Sequence, residues 1–249
     1  GYPKYAWAES VKVVDLLPTG LREAGFKALE RMIPRRAAKA RIALRAMAAR
    51  NESDRFQAWF APFTSYERDA LIDGEERAQH RAITARAQGD TIQRMLYNDC
   101  HAWLTDNLLE RGDRMAMAAS VESRPPFLDH ELVELAARLP SNVKLRGGAT
   151  KWVVKEVARR HLPASIVDRR KVGFRVPLDS WFRGELRNMA GDMLLGHNSF
   201  VASRMNRDVI ERMLKDHQSE RRDEEIRIWT LLCLEVWHEV FFRGGAPSA

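Results

Sequence analysis

The chain has 249 residues and a formal net charge of +7, with 41 Lys and Arg against 34 Asp and Glu. With 45% hydrophobic and 30% charged residues, it is typical of a folded globular protein and excludes an intrinsically disordered chain. The two cysteines, Cys100 and Cys233, exclude a disulfide scaffold and a four-thiolate zinc site, and we expect both to be buried thiols of a reducing compartment.

The first predicted element is a basic helical stretch from Leu21 to Arg50. It holds nine Lys and Arg and two Glu, so it accounts for the whole net charge, and the rest of the chain is balanced. Its apolar residues recur at three- and four-residue spacing, which predicts one or two amphipathic helices with a break at Pro34. A concentrated basic segment is typical of nucleic-acid-binding proteins, so nucleic acid is the first partner to consider.

A short helix is predicted over Asp54–Phe60, and another runs to Leu71 with Ser65 as its N-cap. The pattern from Thr91 to Ala119 predicts a long, mostly buried helix that could break near Thr105. The two adjacent prolines in Ser120–Asp129 predict a loop there, since each disfavours a helical conformation in the residue before it.

Asp129 is predicted to cap a helix that ends at Leu139, before a proline. The Gly147-Gly148 pair predicts a turn, and Thr150 is the predicted N-cap of a helix that runs to His161.

A second non-helical segment is predicted over Arg169–Pro177, followed by a helix from Leu178 to Leu195 and another capped by Asn206. The last helix, Arg221–Phe242, has a wide apolar face that we expect to be buried. The residues of that face are Ile226, Trp229, Leu232, Cys233, Val236, Trp237 and Val240. Charged residues interrupt this helix, so no membrane span is predicted, and the opening residues show no leader-peptide pattern.

One polar cluster alternates Arg with carboxylates within an apolar neighbourhood. Asp106, Glu110 and Asp113-Arg114 lie three or four residues apart and so share a helix face, and Glu122 and Arg124 follow in the next loop. The alternation predicts a buried charge network, which is better evidence for a site than for stability. A purely structural ion-pair lattice between helix and loop is the alternative.

A second cluster is the run Arg169-Arg170-Lys171-Val172-Gly173-Phe174-Arg175. Three consecutive cations beside a glycine suit an anion such as phosphate or pyrophosphate, because Arg binds bidentately and glycine lets the backbone approach closely. A solvated basic turn is the alternative.

Several motifs of self-contained enzymes are absent from the sequence. It has no phosphate-binding Gly-x-x-x-x-Gly-Lys-Ser/Thr loop, no Gly-x-Gly-x-x-Gly turn and no Gly-x-Ser-x-Gly elbow. No His or Cys spacing matches a metal site, so no metal ligand is predicted among these residues.

Four blocks, in order, resemble elements of the glutamine-dependent asparagine synthetases. Trp103–Met117 resembles that family's Tyr-Leu-Pro-Asp-Asp-Leu-Leu-x-Lys-x-Asp-Arg-x-Ser-Met element, and Val121–His130 resembles Glu-x-Arg-x-Pro-Phe-Leu-Asp-His. Lys144–Lys151 resembles its Lys-x-x-Lys/Arg stretch, and Arg170–Phe182 resembles its Lys-x-Gly-Phe-x-Val-Pro-Leu element. The opening Gly1–Tyr5 also resembles the family's Gly-Tyr-Pro-Arg-Tyr.

The resemblance implies a mainly α chain that forms the helical C-terminal portion of an adenine-nucleotide α-hydrolase-like (PP-loop) synthetase domain. The parallel sheet, its Ser-Gly-Gly-x-Asp-Ser ATP loop and the glutaminase domain are absent from the printed sequence. The implied division is a variable helical region over 1–102, a motif-bearing region over 103–182, terminal helices over 183–243 and a disordered tail over 244–249.

The family's reaction implies the roles of the site residues. ATP with Mg activates the aspartate side-chain carboxylate as an acyl-adenylate, and ammonia from glutamine then gives asparagine, AMP and pyrophosphate in the cytoplasm. Lys171 is the implied catalytic residue, because a cation there stabilises charge on the leaving pyrophosphate, with Arg170 as its phosphate-side neighbour. The implied cleft residues are Arg111, Asp113, Arg114 and Gly173. The implied wall or support residues are Asp106, Glu122, Arg124 and Asp129.

Two departures from the family pattern, Gly112 for a Val-like residue and the additional Pro125, affect the substrate specificity to be expected. The acceptor could therefore be another carboxylate, as in the exopolysaccharide, lasso-peptide and β-lactam branches of the family. The oligomeric state is left open. A non-catalytic helical module, or a nucleic-acid-binding one that uses the segment 21–50, is the remaining alternative. Because that segment lies outside the four blocks, we interpret it as a solvated helix face and do not expect nucleic acid as a partner.

Overall fold

The predicted mainly α fold is confirmed in the described part of the chain. In the computed structural model the described residues are 2, 4–7, 14, 16–33, 37–72, 78–169 and 176–244. Their regular structure is helical apart from a single two-stranded sheet. None of the helices in these ranges is long and apolar enough to cross a membrane.

In the described ranges before the proline-rich loop, the helices from Thr19 onward are seven α-helices, with a π-helical segment between the last two. They are α1 (Thr19–Met32), α2 (Ala38–Ala48), α3 (Glu52–Ala58), α4 (Ser65–Leu71), α5 (Ala78–Arg86), α6 (Thr91–Asp99), the π-helix (Cys100–Leu109) and α7 (Glu110–Ala118).

The remaining elements are a 3-10 turn, further helices and the two strands of the sheet. They are the 3-10 turn (Pro126–Leu128), α8 (His130–Arg138), α9 (Ser141–Lys144), β1 (Leu145–Arg146), β2 (Ala149–Thr150), α10 (Trp152–Ala158), α11 (Ala164–Val167), α12 (Leu178–Arg183), α13 (Arg187–Leu195), α14 (Phe200–Arg204), α15 (Arg207–Gln218) and α16 (Glu225–Phe242).

The chain divides into two compact units. The first unit comprises Gly1–Ala28, Ala46–Phe60 and Glu76–Val172, and a small core within it contains Tyr5, Phe56, Ile92 and Met95. The second unit comprises Leu29–Arg45, Ala61–Glu75 and Gly173–Ala249. Its larger core contains Leu71, Leu178, Phe182, Ala190, Leu194, Val201, Ile210, Met213, Ile228, Leu231 and Leu232. The sequence division at 102 and 182 stays a prediction.

The helix caps that depend on local chemistry agree closely with the sequence. The Asp129 carboxylate accepts the Leu132 N–H at 3.1 Å, and the Asn206 side chain accepts the N–H groups of the first turn of α15, so both predicted caps are confirmed. The α4 cap is one residue earlier than predicted: Thr64, not Ser65, forms a capping box with Glu67.

The predicted turn at Gly147-Gly148 is confirmed as the tip of a β-hairpin. Both glycines have positive φ, 56° and 77°, which a two-residue hairpin turn of this kind requires and which glycine adopts without steric cost. The strands pair Leu145 with Thr150. Because Thr150 belongs to this ladder, it does not cap the next helix, and that prediction is wrong.

The helix α16 buries only part of the predicted face. Leu232 of that face is buried, whereas Ile226, Trp229, Cys233, Trp237 and Val240 are exposed. The other buried residues of the helix include Glu225, Arg227 and Glu235. These charged side chains can be buried because they form hydrogen bonds. Glu225, for example, accepts the Asp179 N–H at 3.0 Å.

Three further expectations about the chain are corrected. Both cysteines are exposed, not buried. The single helix predicted over Leu178–Leu195 is two helices, α12 and α13. The basic stretch is not uniformly solvated, because Arg22 is buried and donates to the Ala49 carbonyl at 2.7 Å.

Candidate active site

The first motif block begins on a π-helix and continues on α7. Over Cys100–Leu109 the main chain is wound as a π-helix, a form that is rare and recurs at functional sites. The predicted break near Thr105 is wrong, because the π-helix runs through Thr105 and the helical rod is continuous. The rod exposes Asp106, Arg111 and Asp113 to solvent.

The polar residues of this block form a surface pair, not a buried network. Arg114 donates to Glu110 at 2.5 Å across one turn of α7, with both side chains exposed. Such pairs contribute little to stability in water. The buried network that the charge alternation predicted is therefore wrong for these residues.

The second motif block forms an extended loop that ends in a helix cap. Arg124 and Glu122 pair at 2.6 Å, and both are largely exposed. Asp129 caps α8, which fixes where the loop ends. Its role as a support residue of the active site stays a prediction.

The third group of expected site residues lies outside the described part of the chain. Arg170, Lys171 and Gly173 all belong to 170–175. On the described side of this segment Asp168 pairs with Arg159 at 2.9 Å. The structure therefore does not test the expected anion-binding loop.

The motif-bearing surface is open and partly apolar. No residue from Cys100 to Arg169 is buried, although the sequence predicted burial for much of this stretch. Its exposed apolar side chains include Met115 at 70% and Phe127 at 68%, together with Met117, Val121 and Leu135.

A buried polar cluster, which sequence reasoning missed, joins the opening residues to the start of the first motif block. Lys4, 2% exposed, donates to Asp99 Oδ1 at 2.5 Å, and the Tyr5 hydroxyl donates to the other carboxylate oxygen. Lys4 Nζ also lies 4.0 Å from the centre of the Phe60 ring, which stacks on Trp103 at 4.1 Å. The only sequence signal for this cluster was the opening Tyr-Pro-Lys-Tyr, which resembles the family. That resemblance does not show that Lys4 and Tyr5 bind Asp99.

Burial controls the titration of this cluster. Burial lowers the pKa of Lys4, and the charge and hydrogen bond of Asp99 offset part of that effect. Burial, with the negative charge of Asp99, raises the pKa of Tyr5, so its hydroxyl remains a donor. The cluster thus ties the opening residues to Asp99, 95 positions further along the chain.

One group of described side chains has the composition of a metal site, but its members already contact other protein groups. Asp179, His217 and Asp223 have ligand atoms within 4.8 Å of one another. His217 Nδ1 accepts the Glu224 N–H at 3.2 Å, and its Nε2 lies 3.9 Å from Asp179 Oδ1. Arg183 pairs with Asp179. We interpret the group as structural.

Comparison with known proteins gives the family. A family model of asparagine synthase matches residues 1–239. Asparagine synthetase [glutamine-hydrolyzing] 1 of Bacillus subtilis is 31% identical over 158 residues, which is 64% of this chain and 25% of the relative. A putative asparagine synthetase [glutamine-hydrolyzing] of Mycobacterium bovis is 34% identical over 172 residues, 65% of this chain and 26% of the relative.

A more distant match is Amidase chry2 of Gibberella zeae, 28% identical over 93 residues, or 35% of this chain and 14% of that protein. No solved structure shows a significant match to the chain. The chain spans about a quarter of the length of the asparagine synthetases it matches most extensively. Because the family model covers nearly the whole chain, the resemblance of its motif blocks is confirmed, and the chain belongs to the asparagine synthase family.

Proposed function

We propose that this chain is part of an ATP-dependent amidotransferase of the asparagine synthetase (glutamine-hydrolysing) type. The proposed reaction adenylates the aspartate side-chain carboxylate and then transfers glutamine-derived ammonia to it, which releases AMP and pyrophosphate. The observation that carries the proposal is the family match over residues 1–239.

In this proposal the open surface of the motif-bearing region is one wall of the active site. Its exposed apolar side chains, such as Met115 and Phe127, suit packing against the part of the domain that carries the ATP loop in the family. The cations and carboxylates of the first block, Arg111 and Asp113 among them, line the cleft once that wall is covered. Burial then strengthens each of their electrostatic contacts.

The chemistry assigned to this chain is charge stabilisation by the segment 170–175. We assign to the Lys171 ammonium, with its neighbour Arg170, the stabilisation of the negative charge that develops on the leaving pyrophosphate. In our proposal the Mg and triphosphate ligands come from the ATP-loop portion.

The test is ATP–pyrophosphate exchange in a protein extended upstream so that it includes both the family's ATP loop and its glutaminase domain. A chimera with the corresponding segment of the Bacillus subtilis relative provides it. We expect Lys171→Ala to abolish aspartate-dependent exchange while glutaminase activity persists, since only the adenylation step uses this cation. Arg160→Ala, an exposed cation on another turn, is the matched control and should leave exchange near that of the parent. Near-normal exchange in the Lys171→Ala protein would overturn the assignment.

A related amidotransferase with another acceptor is the second candidate. The match to an amidase of Gibberella zeae, and the departures at Gly112 and Pro125, favour it. Exchange that depends on another carboxylate and ignores aspartate would select this candidate over the first.

A further inference from the structure

A groove of about 860 Å³ lies between α13 and α15, which pack against each other within the second unit. Four cationic side chains line it: Arg187 of α13, Arg212 and Lys215 of α15, and Arg221 just after α15. We call it the α13–α15 groove. Its volume is within the range of sites that hold small molecules.

The two helices that form the groove are anchored in the core of the second unit. α13 contributes Leu194 to that core and α15 contributes Ile210, and both side chains are completely buried. The end of α15 is also tied to α12, because the Gln218 side chain donates to the Phe182 carbonyl. The main chain therefore holds the groove open without a ligand, and binding requires only side-chain adjustment.

Two of the four cations have no acidic partner in the described part of the chain. In the described range 176–244 every Lys and Arg forms an ion pair with a carboxylate except Arg187, Arg204 and Arg212. Arg187 and Arg212 both line the groove. Their guanidinium groups retain the donors that bind phosphate or carboxylate oxygens in pairs.

The other two cations of the groove form only weak pairs. Arg221 lies 3.8 Å from Asp216, and Lys215 lies 3.6 Å from Glu211, with both cationic side chains largely exposed. Pairs of this kind contribute little in water, so an anionic ligand can replace them at small cost.

Gly191 keeps the α13 side of the groove free of a side chain. A glycine inside a helix is less favourable than alanine, because it loses more conformational freedom on folding. Close packing does not require it here, since a Cβ at this position would meet nothing within 4 Å. Gly191 lines the groove, so a larger side chain would occupy part of the space that a ligand needs.

Charge and size indicate the class of ligand. The four cations face two carboxylates, Asp192 and Asp216, which leaves an excess of two positive charges in the groove. Arg binds phosphate bidentately and Lys contacts it as a mobile point charge. Because the cations come from two helices, a ligand with several linked phosphates can contact more of them than a single phosphate or carboxylate can.

We propose that the α13–α15 groove is a binding site for a small molecule that carries a condensed phosphate chain, either free polyphosphate or a nucleoside triphosphate. The residues that carry this proposal lie outside the segment 170–175, and the proposal does not depend on the proposed reaction.

The first test is calorimetric titration of the 249-residue chain with inorganic tripolyphosphate in the absence of Mg. All proteins carry Arg170→Ala/Lys171→Ala, which removes the cations assigned to the pyrophosphate, so the result is independent of that assignment. We expect one site with a dissociation constant below about 1 mM at about 0.15 M salt, and binding about tenfold or more weaker in Arg187→Ala/Arg212→Ala.

Arg204→Ala is the matched control, because Arg204 is an exposed cation without an acidic partner in the described residues and lies on α14, outside the groove. It should bind tripolyphosphate like the parent. Absence of saturable binding, or an equal loss in Arg204→Ala and in the double variant, would overturn the proposal.

The second test separates occupation of the groove from attraction to a basic surface. Gly191→Leu retains every charge but fills the groove, so it should weaken binding by about tenfold or more, whereas Gly191→Ala should bind nearly like the parent. Asp192→Asn removes a repelling carboxylate and should strengthen binding by about threefold. Far-UV circular dichroism should be unchanged in each variant. Unchanged binding in Gly191→Leu, or weaker binding in Asp192→Asn, would contradict the proposed site.

The third test compares tripolyphosphate, ATP and AMP on the same proteins. Equal affinity for tripolyphosphate and ATP, with AMP about tenfold weaker or more, would support recognition of the phosphate chain alone. Tighter binding of ATP than of tripolyphosphate, again with weak AMP, would support a nucleoside triphosphate. AMP that binds as tightly as ATP, or a single-stranded DNA oligonucleotide that binds more tightly than either and is lost in Arg187→Ala/Arg212→Ala, would overturn the proposal.

Discussion

Replacing Glu67 with glutamine tests the buried ion pair that joins α4 to α16. Glu67 Oε1 accepts from Arg227 at 2.5 Å, and Oε2 accepts the Thr64 N–H and hydroxyl at 2.9 Å each. Arg227 is buried and also donates to the Pro62 carbonyl and to Glu224. Glu67→Gln keeps the shape of the side chain and removes its charge.

The pKa of Glu67 gives the size of the expected effect. Burial raises this pKa, but the charges of Arg227 and Arg45 and the hydrogen bonds from Thr64 outweigh burial and bring it to about 2, from 4.5. A carboxyl whose pKa falls by that much on folding stabilises the folded state by about 3 kcal/mol when ionised. Because the folded-state pKa is the lower one, the stabilisation is full above 4.5 and is lost as the pH falls through 2.

The assay is urea unfolding of the parent and of Glu67→Gln at a series of pH values, followed by circular dichroism. We expect the variant to be about 3 kcal/mol less stable near pH 7 and the difference to fall to about half near pH 3. Glu211→Gln is the control, because Glu211 makes only exposed pairs with Arg207 and Lys215 and should change stability by about 0.5 kcal/mol or less. A difference that stays constant with pH, or no difference near pH 7, would refute the reasoning.

Three other substitutions test separate contacts by the same unfolding assay. Glu235→Ala should lower the free energy of unfolding by about 3 kcal/mol, because the Ser199 hydroxyl and the N–H groups of Phe200 and Val201 lose their buried acceptor. A decrease under about 1 kcal/mol would contradict this. Asp129→Ala should lower the free energy of unfolding by about 1 kcal/mol through loss of the α8 cap, whereas Asp129→Asn retains an acceptor and should be nearly neutral. Equal decreases in the two variants would contradict a capping role. Lys4→Met should cost about 3 kcal/mol because it leaves Asp99 without its cation, and adding Asp99→Leu should recover part of the loss; no recovery would show that the pairing is not what matters.

Local chemistry was predictable from the sequence. The caps at Asp129 and Asn206 and the turn at Gly147-Gly148 depend on neighbours within a few residues, so the sequence contains their whole cause. The errors in this class are small, as when Thr64 takes the capping position assigned to Ser65.

Which face of a helix is covered was not predictable in this way. On α16 an apolar pattern exists on both sides, and the decision depends on distant partners: Glu235 accepts from the start of α14, and Arg227 pairs with Glu67 from α4. Periodicity identifies an amphipathic or apolar helix but does not identify what packs against it. The same reason explains why the stretch beginning at Cys100 is exposed although its sequence resembles a buried helix.

The candidate site was predictable as motifs but not as geometry. The order of the four blocks indicated the family, which the match over residues 1–239 confirms. The contact of Lys4 with Asp99 was not predictable, because it joins residues 95 positions apart. The role of Lys171 stays a prediction, since the residue lies outside the described part of the chain.

The central claim is that this chain supplies one wall of a synthetase active site and needs the ATP-loop portion for adenylation. The most direct measurement is ATP–pyrophosphate exchange with aspartate, by the purified 249-residue chain and by the upstream-extended chimera under the same conditions. We expect exchange by the chimera and none above background by the chain alone. Exchange catalysed by the 249-residue chain itself would contradict the need for the ATP-loop portion.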